Sequence, residues 1–149
     1  MYYTLAELAF MTGYSTRSLR KFYNQGILTG TMTAGKYSFS EEDMGRFLAQ
    51  PFIKEGMRIK TRMQVQHFLE EEHAQRPATC LIHDEPGRRQ AEQMNEDLLE
   101  YIKREEPEEF RYTYLFDGKK EIGRFILIGQ AKDIAAAMET IGKSPSISS

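Results

Sequence analysis

The chain has 149 residues, 40% hydrophobic and 28% charged, which excludes a disordered chain and allows one ordinary domain or two small ones. Its net charge of −2 conceals a division: residues 1–64 carry nine Lys and Arg against five Asp and Glu, and residues 65–149 carry eleven against seventeen. A basic first half indicates a surface that faces a polyanion, although a surplus of four positive charges is also common on ordinary surfaces.

No apolar run approaches the roughly 20 residues of a membrane-spanning helix. The first residues, MYYTLAEL, have neither the basic start nor the apolar core of a signal peptide. The single cysteine, Cys80, cannot form an intramolecular disulfide, which fits a reducing compartment. We therefore expect a cytoplasmic protein without a membrane segment.

Two short helices are predicted at the start of the chain. Thr4 and Glu7 have the spacing of a capping box, and Gly13 is a typical helix end. Ser15 is the expected N-cap of a second helix that runs to Gly26. The tight spacing of these signals indicates a helix-turn-helix.

A hairpin and a third helix are predicted next. Residues 29–39 are rich in Thr, Tyr and Phe, with Ala34 and Gly35 in the turn. Ser40 then caps a helix that opens with three acids, where the helix dipole favours negative charge. Two helices, a hairpin and a third helix make a winged helix-turn-helix, a shape that binds double-stranded DNA.

The polar face of the second helix carries three cations, Arg17, Arg20 and Lys21. Arg reads guanine through bidentate contacts when a helix lies in the major groove, whereas Lys and Ser more often hold phosphate. A solvated helix face would explain the same three cations.

The residues of this helix and hairpin resemble the DNA-binding head of the MerR family of transcriptional regulators. That family's recognition helix typically reads Ser-x-Arg-Thr-Leu-Arg, two aromatics, a few residues and Gly-Leu-Leu, and its wing reads Gly-Tyr-Arg-x-Tyr-Ser-x-x-Asp-Leu. The matching positions here are Ser15, Arg17, Ser18, Leu19, Arg20, Phe22, Gly26, Ile27, Leu28, Gly35, Phe39, Ser40, Asp43 and Met44. The resemblance covers residues 2–50 and implies a dimer that distorts promoter DNA.

The chain departs from the family at three places. Lys21 stands at the first aromatic position, Lys36 and Tyr37 replace the Tyr-Arg pair of the wing, and residues 50–75 lack the family's next helix pair. A Lys in the wing can still reach a phosphate as a point charge. The residues expected to contact DNA are Ser15, Thr16, Arg17, Arg20, Lys21, Asn24, Lys36 and Tyr37.

Residues 51–76 are predicted to form a linker or dimerisation helix, from about Met57 to His73, because Met, Gln, Arg, Lys and Glu dominate there. Pro51 should interrupt any continuation from the preceding helix. The segment has no sustained heptad repeat, so the dimer contact can instead lie in the C-terminal sheet.

Residues 77–142 form a second predicted domain, with the order strand, helix, strand, strand, helix, followed by a flexible tail at 143–149. Asp117-Gly118 is a strong hairpin signal. The order is one strand short of a ferredoxin-like fold. The whole chain is thus predicted to be α+β, with a winged-helix domain at 1–50, a linker at 51–76 and a small dimerisation or sensor domain.

Few residues of the second domain suggest chemistry. Cys80 lies on an apolar strand and is expected to be a core thiol, and no metal, cofactor or catalytic motif is recognised. Tyr112, Tyr114 and Phe116 form an aromatic row on one strand, which would suit either a small-molecule effector site or core packing.

The sequence therefore predicts a non-enzymatic transcriptional regulator that binds pseudo-palindromic double-stranded DNA as a homodimer. One alternative is an excisionase-like architectural factor with a similar small winged head. Another is a protein-interaction module whose head no longer binds DNA.

Overall fold

The computed structural model describes residues 1–142, which form six helices and two three-stranded antiparallel sheets. The predicted α+β class is confirmed. The chain divides into two compact units, the N-terminal unit Met1–Gln66 and a C-terminal unit that begins at His67. The tail predicted at 143–149 lies outside the described residues. Within residues 1–142, no helix is long and apolar enough to cross a membrane.

Short elements with clear caps build the first part of the chain. The capping box of Thr4 and Glu7 is confirmed, as are the left-handed Gly13 after the first helix and the N-cap Ser15 of the second. The elements are β1 (Tyr2–Tyr3), α1 (Leu5–Thr12), α2 (Thr16–Asn24), β2 (Thr31–Thr33), β3 (Lys36–Ser40), α3 (Glu41–Ala49) and α4 (Pro51–Glu70).

The first sheet has the order β1-β3-β2, so the predicted hairpin gains a third strand. β1 was not predicted, because two residues carry no periodic pattern. Tyr3 of β1 is buried and pairs with Phe39 of β3. The hairpin turn has positive φ at both Ala34 (52°) and Gly35 (77°), as in a type I′ turn.

Helix α4 begins at Pro51, six residues earlier than predicted, and ends at Glu70 rather than His73. Proline does separate the two helices, but it does so as the first residue of α4, where its missing N–H has no helical partner to lose. Ile53 and Met57 are buried on this early part of α4. Burial of these two side chains explains why the helix starts before the helix-favouring composition begins.

The C-terminal unit confirms the predicted order of elements. Its second sheet is antiparallel throughout, with the order β4-β6-β5. The first strand continues to Pro86, and Gly87, with a positive φ of 94°, is the N-cap residue of the following helix. The elements are β4 (Ala78–Pro86), α5 (Arg88–Glu105), β5 (Arg111–Asp117), β6 (Ile122–Gln130) and α6 (Ala131–Gly142).

Helices α5 and α6 pack on one face of the second sheet. A Cβ at Gly123 of β6 would lie 2.6 Å from Ala91 of α5, and one at Gly129 would lie 3.6 Å from Ile134 of α6. The first distance is too short for a Cβ, so glycine at 123 allows α5 to pack closely on this face. The second distance is an ordinary contact, and the tight neighbour of Gly129 is the Phe110 ring at 3.0 Å. The prediction for Cys80 was wrong: it is half-buried, because its position on β4 alternates with those that face the helices.

Candidate nucleic-acid interface

Helix α2 has one buried and one charged face. Leu19 is fully buried and Phe22 is half-buried, whereas Arg17, Arg20 and Lys21 are exposed. The apolar side holds α2 against the N-terminal unit and leaves its cations in solvent.

These cations lack partners within the described residues. Arg17, Arg20, Lys21 and the hairpin residue Lys36 make no ion pair or side-chain hydrogen bond there, and residues 8–40 contain these four cations and no acid. By contrast, Arg46 of α3 lies 2.8 Å from Asp43. An unneutralised group of cations is available to an anion outside the chain.

The N-terminus of α2 adds to the positive potential. Its first turn has no acidic residue, so no side chain of that turn offsets the positive end of the helix dipole. Ser15 accepts a hydrogen bond from the backbone N–H of Ser18 and donates to its hydroxyl, so its own hydroxyl serves as a cap. Thr16 begins the helix half-buried and Asn24 ends it exposed.

The hairpin is fixed against α2 by aromatic packing. The ring of Tyr37 lies 5.1 Å from that of Tyr23 on α2 and stacks on Phe39 at 6.0 Å. Tyr37, predicted to contact DNA, thus also anchors the hairpin to the helix. Lys36 pairs with Thr33 at the hairpin end, which fixes its backbone, and its side chain is exposed.

Asp43 joins the loop before the hairpin to α3. Its carboxylate accepts hydrogen bonds from the Thr29 hydroxyl (2.9 Å), the Arg46 guanidinium (2.8 Å) and the backbone N–H of Ser40 (2.9 Å). Burial raises the pKa of Asp43, but the hydrogen bonds from Ser40, Thr29 and Arg46 outweigh it and hold that pKa below its usual value.

Tyr14, just before the N-cap of α2, packs against three elements. Its ring lies 5.3 Å from Phe22 and 6.0 Å from Phe47 of α3, and the Lys60 ammonium of α4 lies 3.3 Å from the ring centroid. Burial raises the pKa of Tyr14 and lowers that of Lys60. α4 therefore supports the turn that places the start of α2.

Strand β2 contributes exposed residues that the sequence did not single out. Thr31, Met32 and Thr33 are all exposed, on the strand that pairs with β3 of the hairpin. Threonine hydroxyls commonly bond phosphate oxygens. The alternation of threonines with Met32 is the signal that could have identified them.

The second group of candidate residues lies in the C-terminal unit. Tyr112 and Tyr114 are buried; Tyr112 donates a hydrogen bond to the buried Asn95, and the Tyr114 ring stacks at 4.8 Å on Phe125. Phe116 is half-buried beneath the guanidinium of Arg88, 4.3 Å from the ring centroid. The contacts of Tyr112 and Phe116 join the sheet to α5, and the stack of Tyr114 on Phe125 joins β5 to β6.

Comparison with known proteins found no matching family model, no matching curated protein and no matching solved structure.

Proposed function

We propose that this chain is a dimeric DNA-binding transcriptional regulator of the MerR-like type, with a winged helix-turn-helix head in its N-terminal unit. The observation that carries the proposal is a set of exposed cations that have no partner among residues 1–142 and lie in a stretch without acids: Arg17, Arg20, Lys21 and Lys36. A helix with a free cationic face beside an anchored hairpin suits the grooves and phosphates of a duplex.

In the proposed complex, α2 lies in the major groove. Arg17 and Arg20 contact base edges or phosphates, and Lys21 and Lys36 hold phosphates on either side. Because Tyr37 packs on Tyr23, the backbone of the hairpin that carries Lys36 is positioned relative to α2 before DNA binds. A preorganised wing loses less conformational entropy on binding.

The C-terminal unit, a ferredoxin-like arrangement lacking one strand, joins two heads in this proposal. Two recognition helices would then enter major grooves about 34 Å apart on a pseudo-palindromic operator. The proposal assigns the chain no catalytic role.

The test begins with selection of an operator from random duplexes by the full-length protein. Arg17→Ala is then expected to weaken binding to that operator by roughly 1–3 kcal/mol in a gel-shift titration, because a contact to base or phosphate is lost. Arg89→Ala is the matched control, since it removes the same charge from an exposed position on α5. Equal affinity of wild type and Arg17→Ala would refute the role of α2.

The alternatives give different results in the same experiments. Arrayed sites at a recombination junction in genomic footprints would favour the excisionase-like factor, whereas one operator beside the chain's own operon would favour the regulator. No binding to any duplex at low salt would favour a protein-interaction module.

A further inference from the structure

Strand β4 is an edge of the second sheet and carries nine residues, all in register with β6. The other edge strand, β5, has seven. Ile82, near the middle of β4, is 53% exposed. A long edge with an exposed apolar residue is a template for another strand.

The alternation of hydrogen bonds along β4 shows which residues direct their backbone N–H and C=O groups toward the free edge. Just before the strand, the Pro77 carbonyl accepts from Ala131 N–H, and just after it Gly87 N–H donates to Glu121. Alternate residues of an antiparallel strand bond to opposite neighbours, so the odd-numbered residues of β4 bond to β6. The backbone groups of Ala78, Cys80, Ile82 and Asp84 therefore point outward, and within the described residues they have no hydrogen-bond partner.

The usual barriers to strand pairing are absent from the first part of this edge. Residues 78–83 contain no Lys, Asp, Glu or Pro, although the C-terminal unit as a whole is strongly acidic. Native sheets commonly block a free edge with lysine, proline or a bulge. β4 instead offers an uncharged edge where two acidic units can approach each other.

One antiparallel register makes β4 complementary to itself. If the two-fold axis passes through Cys80, each outward residue pairs with an outward residue of the other copy, Ala78 with Ile82 and Arg76 with Asp84. Arg76 is 56% exposed and contacts Glu109, and Asp84 is 43% exposed and contacts Arg124, so each retains surface for a second partner. The opposite charges at both ends favour this register.

We propose that β4 pairs with β4 of a second copy of this chain, which joins two three-stranded sheets into one of six strands. This inference rests on the proposed function in one respect: a regulator that binds a pseudo-palindromic operator requires two DNA-binding heads. The dimer contact is then a backbone contact at the sheet edge rather than a coiled coil of α4, whose Ile59 and Met63 are also exposed.

Ile82→Pro tests the pairing by a change directed at the free edge of β4. It removes an outward N–H that β6 does not use, so the sheet within one copy keeps its ladder while the dimer loses two symmetric hydrogen bonds. Ile82→Ala is the matched control, because it shortens the side chain and keeps the N–H. In sedimentation without DNA, wild type and Ile82→Ala should have a mass of twice the 17.3 kDa of one chain. The dimer of Ile82→Pro should have a dissociation constant at least about tenfold higher than that of wild type.

Cross-linking supplies a second measurement that does not depend on a folded proline variant. Cys80 is the only cysteine in the chain, and on the proposed axis its Cβ lies about 5 Å from its symmetry mate. A short bis-maleimide should therefore link wild type into a covalent dimer. The double variant Cys80→Ser with Met63→Cys, which moves the thiol to α4, should remain mostly uncrosslinked.

The opposite pattern, with linking through position 63 and not through Cys80, would overturn edge pairing. A wild type that is monomeric, or an Ile82→Pro variant that dimerises as wild type does, would overturn it too. These outcomes are separate from DNA binding: a Cys80-linked dimer that ignores every duplex would refute the proposed function and leave the edge pairing standing.

Discussion

At the scale of single residues, the Asp43 carboxylate accepts hydrogen bonds from Thr29, Ser40 and Arg46. We predict that Asp43→Asn lowers the free energy of unfolding by about 1 kcal/mol at pH 7, because the charged capping box and the bond from Arg46 are weakened. The pKa of Asp43 is lower in the folded chain than its unfolded value of about 3.9. The ionised carboxylate therefore stabilises the fold fully above about pH 3.9, and this stabilisation is lost as the pH falls through the folded pKa.

Urea unfolding at pH 7 and at pH 3 measures this effect. The difference between wild type and Asp43→Asn should shrink at the lower pH. Glu42→Gln, at a neighbouring exposed position of α3, should change stability little at either pH. A gap between wild type and Asp43→Asn that is constant with pH would contradict the assignment.

The contacts of Asp43 also show that local contacts can be predicted from a sequence and that contacts between distant residues cannot. Its capping box with Ser40 spans three residues and was predictable from local spacing, as was that of Thr4 and Glu7. Its bond from Thr29 crosses fourteen positions and depends on how the hairpin folds back. In the same way, the sequence identified Tyr37 as a candidate DNA contact but could not show its packing against Tyr23.

At the scale of elements, two glycines in neighbouring segments should respond oppositely to alanine. A Cβ at Gly30 would lie 2.5 Å from the buried ring of Phe39 and 2.9 Å from the Ser38 carbonyl, whereas Gly45 in α3 has open space around it. We predict that Gly30→Ala destabilises the chain by about 1–3 kcal/mol and that Gly45→Ala stabilises it by about 0.5–1 kcal/mol.

Urea unfolding of both variants tests this pair, and a gel shift on Gly30→Ala reports on the hairpin, which should lose its fixed position beside α2. Gly45→Ala should leave operator binding unchanged. A stabilised Gly30→Ala variant would mean that the hairpin does not approach Phe39 as closely as the structure has it.

Element boundaries were predictable where local signals set them. Helices α1 and α2 lie close to their predicted limits because their caps are local. α4 begins early because Ile53 and Met57 are buried against other elements, a tertiary effect that composition does not report. The sheet order β4-β6-β5 likewise depends on pairing between distant segments.

At the scale of the whole molecule, the division of charge coincides with the division into units. The N-terminal unit, Met1–Gln66, carries nine Lys and Arg against five Asp and Glu, and the remainder of the chain carries eleven against seventeen. This division was visible in the sequence, whereas the free edge of β4 required the strand order and hydrogen-bond phase. The acidic unit should keep duplex away from itself, so contacts should be confined to the heads.

The salt dependence of operator binding should therefore count the cations of the heads. If Arg17, Arg20, Lys21 and Lys36, which lack partners within residues 1–142, each bind one phosphate, a dimer makes eight contacts. The slope of log K against log salt should then approach roughly −7, since each contact adds about −0.9. Lys36→Ala should reduce the magnitude of the slope by about 2, because it removes one contact from each head. Binding isotherms at salt concentrations from about 50 to about 200 mM measure the slopes of wild type and of Lys36→Ala.

The monomeric Ile82→Pro variant ties this measurement to the dimer. With one head bound, its slope should fall to roughly −4 while Arg17 and Arg20 still contact DNA. Arg89→Ala, which lies outside the head, should leave the wild-type slope unchanged. A wild-type slope near zero would exclude phosphate binding by these cations, and equal slopes for wild type and Ile82→Pro would mean that the two heads do not bind together through β4.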